Sequence, residues 1–182
     1  PTFEENPELR NYLTRDYFNN NPEIFYNRIM DFKKNYSDVE PNEAHRDLAR
    51  YNIPIITMNI DRLHQNAGSK NVIEIHGNLE KIFCEECDFK ADFSYIENSI
   101  NCPNCNSLLQ HDLILYGDSI PSLEQAINLL NDADLLLIIG TALTVSTPNY
   151  IKSIAEYYGI ETVVINQDAK QQVKTVLKKI VS

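Results

Sequence analysis

The sequence has no uninterrupted apolar run of about 18 residues, which is the length that a membrane-spanning helix needs. It also opens with no secretory or transit signal, so we expect a cytoplasmic protein with no membrane partner. Positive charge is scarce, because 16 Lys and Arg face 26 Asp and Glu, for a formal net charge of −10. This balance argues against nucleic acid as a partner, since phosphates are bound by cations. It would suit a basic peptide, although acidic surfaces more often serve solubility.

Cysteine is confined to one short segment. Cys84, Cys87, Cys102 and Cys105 form two Cys-x2-Cys pairs. Two such pairs present four thiolates to one tetrahedral zinc ion at about 2.3 Å and close its coordination shell. Two disulfides or four free thiols are the alternatives, but disulfides would need an oxidising compartment. We therefore predict one structural zinc ion, held by all four cysteines, that takes no part in catalysis.

Strand-like and helix-like patterns alternate outside the cysteine segment. The clearest signal is the apolar run 134–139 closed by Gly140, which is typical of a parallel strand covered on both faces. Ser122 and Gln125 form a capping-box pattern. Other strands are predicted at 53–57, 72–75, 113–116 and 162–166, and helices after Asn21 and Pro41 and around 122–130, 148–158 and 173–180. The pattern predicts an α/β fold with a doubly wound, mostly parallel sheet and an inserted cysteine hairpin.

Polar residues follow several of these strands, at the ends where open α/β sheets bind ligands. Each one alone has an ordinary structural explanation: His76, for example, could be a core histidine. Their joint occurrence predicts a ligand site. The set comprises Asn59, Asp61, His64, His76, Gly77, Gly140, Thr141 and Asn166.

Five segments of the sequence read as known blocks in a known order. Residues 57–68 resemble TQNIDGLHxxAG, residues 74–77 match a catalytic-histidine block, 116–118 resemble FGE, 140–145 resemble GTSLxV, and 164–166 resemble VxIN. These are blocks of the sirtuins, the NAD-dependent protein deacylases. The resemblance extends from residue 1 to about residue 168.

The resemblance implies a domain organisation and a set of ligands. A Rossmann-like NAD-binding domain would comprise residues 1–80 and 108–182, with a helical module at about 3–50. A zinc-binding module would comprise residues 81–107. NAD would be the cosubstrate, and the partner would be a protein or peptide with an acylated lysine.

It also implies a chemistry, in which the acyl-lysine carbonyl oxygen attacks C1′ of the nicotinamide ribose and nicotinamide leaves. Such a site must hold the amide close and exclude water. His76 would act as general base on a ribose hydroxyl, since neutral imidazole accepts a proton near neutral pH. Asn59 and Asp61, with Ile60 between them, would hold the nicotinamide carboxamide. The remaining expected roles are ribose shielding by Phe3, adenosine binding by Gly140, Thr141 and Asn166, and pairing with the substrate backbone by Tyr116, Gly117 and Asp118.

The sequence departs from the family pattern at several positions. Met58, Arg62 and Ala142 replace Gln, Gly and Ser, while His111 and Asp118 stand where Pro and Glu are usual. Residues 1–4 are an altered form of the family's PDFR, and the GAGxSxxSGI segment that precedes it in full-length members is not in the sequence. That segment would supply the first strand and the pyrophosphate loop. We therefore expect the 182 residues to expose a sheet edge, bind NAD poorly and turn over little.

Three functions remain open at this level. The site could remove acyl groups from lysine, it could transfer ADP-ribose to a protein, or the chain could be an inactive zinc-stabilised interaction domain. For the acyl group, sirtuins that prefer negatively charged chains resemble one another in a Tyr-x-x-Arg pair, whose arginine binds the acyl carboxylate. Here the corresponding residues are Tyr26 and Ile29, so we expect acetyl or another uncharged acyl group.

Overall fold

The computed structural model describes residues 7–36, 38–141, 143 and 146–180. The α-helices in these ranges are α1 (Pro7–Tyr12), α2 (Arg15–Asn20), α3 (Pro22–Tyr36), α4 (Glu43–Arg50), α5 (Leu63–Asn66), α6 (Leu123–Asn128), α7 (Ser146–Tyr157) and α8 (Ala169–Ile180). The strands are β1 (Ile55–Thr57), β2 (Val72–Glu74), β3 (Lys81–Phe83), β4 (Lys90–Asp92), β5 (Gln110–His111), β6 (Leu135–Ile139) and β7 (Glu161–Ile165). No helix in the described ranges has the length and apolar character to cross a membrane.

The chain divides into two compact units. The first unit comprises the described residues of 1–39, 58–61 and 76–120, and so contains α1–α3 and β3–β5. The second unit comprises the described residues of 40–57, 62–75 and 121–182, with the remaining helices and strands.

The second unit contains two parallel strand pairs. Strand β1 pairs with β2, with Thr57 opposite Glu74, and β6 pairs with β7, with Ile139 opposite Ile165. Helices α4 and α8 pack on each other and share one core with both pairs. The parallel α/β fold is thus confirmed. In the described residues, however, no hydrogen-bonded ladder joins the two pairs, so they are separate two-stranded sheets rather than the single sheet that the sequence predicts.

The first unit is built from helices and the cysteine segment around one core. Strands β4, β3 and β5 form an antiparallel sheet in that order. Helix α3 begins at Pro22, as predicted, and its buried residues Phe25 and Ile29 face this core. The cysteines Cys84 and Cys102 belong to the same cluster of buried residues. Helix α3 and the cysteine segment therefore depend on each other for burial of their apolar surface.

Two local predictions are wrong. Residues 113–116 form no regular strand: the Ile114 amide donates to the His76 carbonyl, whereas the Tyr116 amide donates to Leu13, so the segment pairs with two different parts of the chain. Ser122 precedes α6 but does not cap it through its side chain. Its own backbone is helical, and its hydroxyl donates to the Glu74 carbonyl instead.

His111 is buried at the centre of the first unit's core. Its ring stacks on Phe25, with 5.0 Å between ring centroids, and meets Phe18 edge-on at 4.8 Å. The pKa of His111 is lowered to about 4, chiefly by burial and also by the nearby Arg15 cation, while Asp118 opposes the shift. Because the ring has aromatic neighbours on both sides, the neutral imidazole is the form that the fold accommodates.

The pH dependence of stability should report this histidine. In the unfolded chain His111 has its ordinary pKa of 6.5, whereas in the folded chain its pKa is about 4. Between these two pH values the unfolded chain therefore binds a proton at His111 that the folded chain does not bind. The free energy of unfolding should therefore fall by about 3 kcal/mol from this group as the pH drops through that window. His111→Phe, measured by denaturant titration between pH 8 and pH 4, should lose that part of the slope. Equal slopes in the two proteins would contradict the assignment.

Candidate functional site

His76 lies just beyond the carboxyl end of β2 and is held by a backbone carbonyl. Its Nδ1–H donates to the Met58 carbonyl oxygen at 2.9 Å. A carbonyl can only accept, so this bond fixes the proton on Nδ1 and leaves the lone pair on Nε2. Burial lowers the pKa of His76, although its hydrogen bond to Met58 acts in the opposite direction. Near neutral pH the ring is therefore a neutral imidazole with a proton-accepting nitrogen.

The residue after His76 must be glycine. Gly77 has φ +67°, and a Cβ atom there would lie 1.8 Å from the Asp112 carbonyl oxygen. On the other side of the contact, the Ile114 amide donates to the His76 carbonyl at 3.1 Å. The backbone of residues 76–77 is thus pressed against residues 112–114. This close approach fixes the position of the His76 backbone, from which its side chain extends.

The segment from Met58 to Asp61 carries three of the predicted site residues. Asn59 and Asp61 are exposed, and Ile60 is half-buried against the first unit's core. The bond from His76 to Met58 places the histidine against the start of this segment. The structure therefore brings the three predicted catalytic residues, His76, Asn59 and Asp61, to one part of the first unit.

Arg62, the next residue, adopts a left-handed backbone conformation, which glycine reaches more easily than other residues. Its φ is 60° and its ψ is 18°, at the position where the resembling block has glycine. A left-handed conformation costs a residue with a side chain about 1–2 kcal/mol. Arg62 adopts this conformation in spite of that cost.

The predicted substrate segment, Tyr116 to Asp118, forms a tight turn. The Asp118 amide donates to the Leu115 carbonyl at 3.0 Å, and Gly117 has φ +99°. Tyr116 is already paired through its backbone, because its amide donates to Leu13 and its carbonyl accepts from the Arg15 amide. Tyr116 and Gly117 are both exposed.

Arg15 is a residue of this region that the sequence did not reveal. Its Nε donates to Asp118 Oδ1 at 2.8 Å and its Nη2 donates to Oδ2 at 2.7 Å, which is a bidentate ion pair. The Leu115 amide also donates to Oδ2, at 2.9 Å. The hydrogen bond from Arg15 is the main reason that the pKa of Asp118 is lowered. Arg15 begins α2, a short helix with no clear periodicity, so no pattern pointed to it.

Gly140, Thr141 and Asn166 lie at the carboxyl ends of β6 and β7. The Gly140 amide donates to the Ile165 carbonyl at 2.9 Å, which places the residues after the two strands side by side. Thr141 Oγ1 accepts from the Leu143 amide at 3.2 Å, so the chain turns here before α7. These residues belong to the second unit, whereas His76 belongs to the first. Phe3 lies outside the described residues.

The four cysteines converge. Their sulfur atoms all lie within 4.8 Å of one another, with Sγ–Sγ distances of 3.4 Å between Cys84 and Cys105 and 3.5 Å between Cys87 and Cys102. A disulfide would bring two sulfurs to about 2.05 Å. Four sulfurs at about 2.3 Å from a tetrahedral zinc ion would lie about 3.8 Å apart, so the set fits zinc.

The Gly77 contact predicts a large difference between two glycine variants. Gly77→Ala should lower the free energy of unfolding by about 3 kcal/mol or more, because the new methyl group would overlap the Asp112 carbonyl. Gly68→Ala is the matched control: Gly68 has φ +96° but nothing within 4 Å of a Cβ atom, so only backbone strain of about 1 kcal/mol is expected. Denaturant titration compares them, and equal losses would refute the steric explanation.

The chain is similar to a known family and to named relatives. Residues 4–147 match the model of the Sir2 family. The NAD-dependent protein deacetylase of Bacillus anthracis is 36% identical over 171 residues, which covers 88% of this chain and 71% of the relative. NAD-dependent protein deacetylase 1 of Pyrobaculum aerophilum is 35% identical over 164 residues, covering 84% and 65%.

The chain is also similar to solved structures. The structure of Sir2Tm bound to a propionylated peptide superposes with a TM-score of 0.83 at 30% identity, covering 94% of this chain and 84% of that one. A Sir2 complex with a p53 peptide and NAD+ gives 0.78 at 31% identity, covering 93% and 83%. With both the family model and relatives of this identity matching most of its length, the chain belongs to the Sir2 family, the sirtuins.

Proposed function

We propose that this protein removes acetyl or other uncharged acyl groups from lysines of proteins or peptides and consumes NAD in doing so. The observation that carries the proposal is the hydrogen bond from His76 Nδ1 to the Met58 carbonyl, which leaves Nε2 as a proton acceptor. Family membership supplies the reaction class, since the relatives are named as NAD-dependent protein deacetylases.

His76 acts as the general base in this proposal. After nicotinamide has left, Nε2 would accept the proton of a ribose hydroxyl as the oxygen of that hydroxyl attacks the acyl carbon, and the resulting imidazolium would keep its Nδ1–H bond to Met58. The low pKa keeps the ring neutral and ready to accept near neutral pH. The fixed tautomer means that no proton has to be moved off Nε2 beforehand.

The other residues proposed to contact NAD have separate roles. Asn59, Ile60 and Asp61 receive the nicotinamide end, and Phe3 shields the ribose. Gly140, Thr141 and Asn166 receive the adenosine half. The exposed positions of Asn59, Asp61, Gly140 and Asn166 support this assignment, because these groups are accessible to a ligand.

Peptide binding is assigned to the turn at residues 116–118. Tyr116 has both backbone groups occupied by residues 13 and 15, whereas no hydrogen bond among the described residues uses the amide or the carbonyl of Gly117, so both are left for a substrate. Two structural relatives were solved with a propionylated peptide and with a p53 peptide, and both complexes are consistent with a peptide partner here.

The preference for an uncharged acyl group is supported by the packing of α3. Tyr26 is fully buried, and its hydroxyl donates to the Leu109 carbonyl. Ile29 is buried in the same core. Arg28, the neighbouring cation, lies over the Tyr12 ring with 3.7 Å from its guanidinium carbon to the ring centroid. None of the three is arranged to receive an acyl carboxylate.

A structural zinc ion is the second part of the proposal. Cys84, Cys87, Cys102 and Cys105 would hold it, and four thiolates leave no open position for chemistry. When bound, the ion would cross-link the two cysteine pairs. Because Cys84 and Cys102 lie in the first unit's core, this cross-link would stabilise the packing of α3 as well.

Zinc removal should therefore destabilise more than the cysteine segment. One zinc ion per chain is expected by elemental analysis, and Cys102→Ser should lose the ion and lower the melting temperature. Ser107→Ala is the control: it removes the hydroxyl 3.5 Å from the Cys105 sulfur but keeps all four thiolates, so it should retain the ion. A folded wild-type protein with no metal and four reactive thiols would refute the zinc site.

The proposed reaction is tested with two peptides of the same sequence, one acetylated and one succinylated on lysine. Nicotinamide release from NAD should depend on the acetyl peptide, and the co-product should be O-acetyl-ADP-ribose by mass spectrometry. His76→Ala should lower the rate by about a hundredfold or more, the usual contribution of a general base. The succinyl peptide should react more slowly, for want of a cation at the acyl end.

Each alternative outcome has a distinct meaning. ADP-ribose attached to a protein, without O-acetyl-ADP-ribose, would identify a transferase. No peptide-dependent nicotinamide release from a folded protein that binds both NAD and the peptide would identify an inactive domain. Faster turnover of the succinyl peptide would refute the acyl preference while leaving deacylation in place.

A further inference from the structure

The orientation of one peptide plane at the substrate turn is fixed by residues 13–15. The Arg15 amide donates to the Tyr116 carbonyl at 3.0 Å, and the Tyr116 amide donates to the Leu13 carbonyl at 2.8 Å. In a trans peptide the carbonyl of one residue and the amide of the next point in opposite directions. The described peptide bonds are all trans. The Gly117 amide therefore points away from residues 13–15.

The opposite end of the same turn is fixed by the Arg15 side chain. Its two hydrogen bonds, at 2.8 Å and 2.7 Å, reach both carboxylate oxygens of Asp118. That carboxylate also accepts from the Leu115 amide at 2.9 Å, so it ties both ends of the turn together. A third guanidinium contact, to Gln110 Oε1 at 3.3 Å, holds the arginine from β5. Arg15 thus holds the turn in place through both its main chain and its side chain.

Gly117 is the residue of the turn that Arg15 does not contact through a hydrogen bond. It is exposed, and no hydrogen bond among the described residues uses its amide or its carbonyl. As a glycine, with φ +99°, it has no side chain that could cover that amide. An exposed donor of fixed direction next to an exposed tyrosine ring suits the backbone carbonyl of an extended peptide.

We propose that Arg15 is a positioning residue for peptide recognition: it aims the Gly117 amide at a backbone carbonyl of the substrate. This rests on the proposed deacylase function, in which residues 116–118 receive the peptide. Arg15 does not touch the reacting atoms in this role. Arg15 holds the Gly117 amide in the orientation that binds peptide before the peptide arrives. Loss of Arg15 therefore lowers the affinity for peptide but not the affinity for NAD.

The central test compares kinetic constants for the two substrates. Arg15→Gln should raise the KM for an acetyl-lysine peptide about tenfold, the effect expected of losing a charge-assisted bidentate pair. The KM for NAD and kcat should stay within about twofold. Asp118→Asn should act alike, and the double variant should be no worse than either single one, because both remove the same interaction. Arg15→Lys, which keeps the charge but not the fork, should fall between wild type and Arg15→Gln.

A purely structural role would give a different result. In that case the melting temperature, kcat and both KM values would change together. Arg46→Gln serves as the control for loss of one cation, since Arg46 is exposed and its contact is Glu40 at 3.8 Å in the second unit. It should leave both KM values unchanged.

Binding measured without turnover separates this inference from the proposed function. Calorimetric titration of the peptide into wild type and Arg15→Gln gives the Kd directly. If wild type binds the peptide and Arg15→Gln binds it about tenfold more weakly, the inference holds even when no nicotinamide is released. An active enzyme whose peptide KM and Kd are unaffected by Arg15→Gln would overturn the inference alone. A wild-type chain that binds no peptide would overturn both.

Discussion

The contact between Gly77 and the backbone of Asp112 is the constraint on which the site depends. The Asp112 carbonyl oxygen lies only 1.8 Å from the place where any other residue would have its Cβ atom, so two distant parts of the chain meet backbone to backbone. His76 leaves this contact on one side, with its carbonyl accepting from Ile114 and its ring bonded to Met58. The chain from residue 112 leaves it on the other side and reaches the Tyr116 turn four residues later. The proposed base and the proposed peptide site are thus attached to a single close approach.

Much of this could be predicted from the sequence, where the signal is local. Apolar runs closed by glycine or flanked by turn residues located β6 and β7, and the proline and acidic residue at Pro22–Glu23 located the start of α3. The cysteine spacing indicated that four sulfurs would converge, and they do. These features depend on residues that are close in the chain or on backbone preferences, which is why a single sequence carries them.

The features that were missed depend on distant partners. Residues 113–116 alternate as a strand should, with Leu113 and Leu115 buried, but no single strand lies alongside them. Ser122 has the residues of a capping box, but the Glu74 carbonyl offers its hydroxyl another partner. Arg15 finds Asp118 103 residues away. In each case the observed structure depends on a partner group that is distant in the sequence, and the local sequence does not indicate where that partner lies.

Arg62 shows that a left-handed backbone position need not carry glycine. Its φ is 60°, although the resembling block has glycine at this position. The cost of about 1–2 kcal/mol is within what a domain of this size can carry. A sequence pattern that insists on glycine there would therefore reject this chain, although its main chain adopts a conformation that glycine would reach without strain.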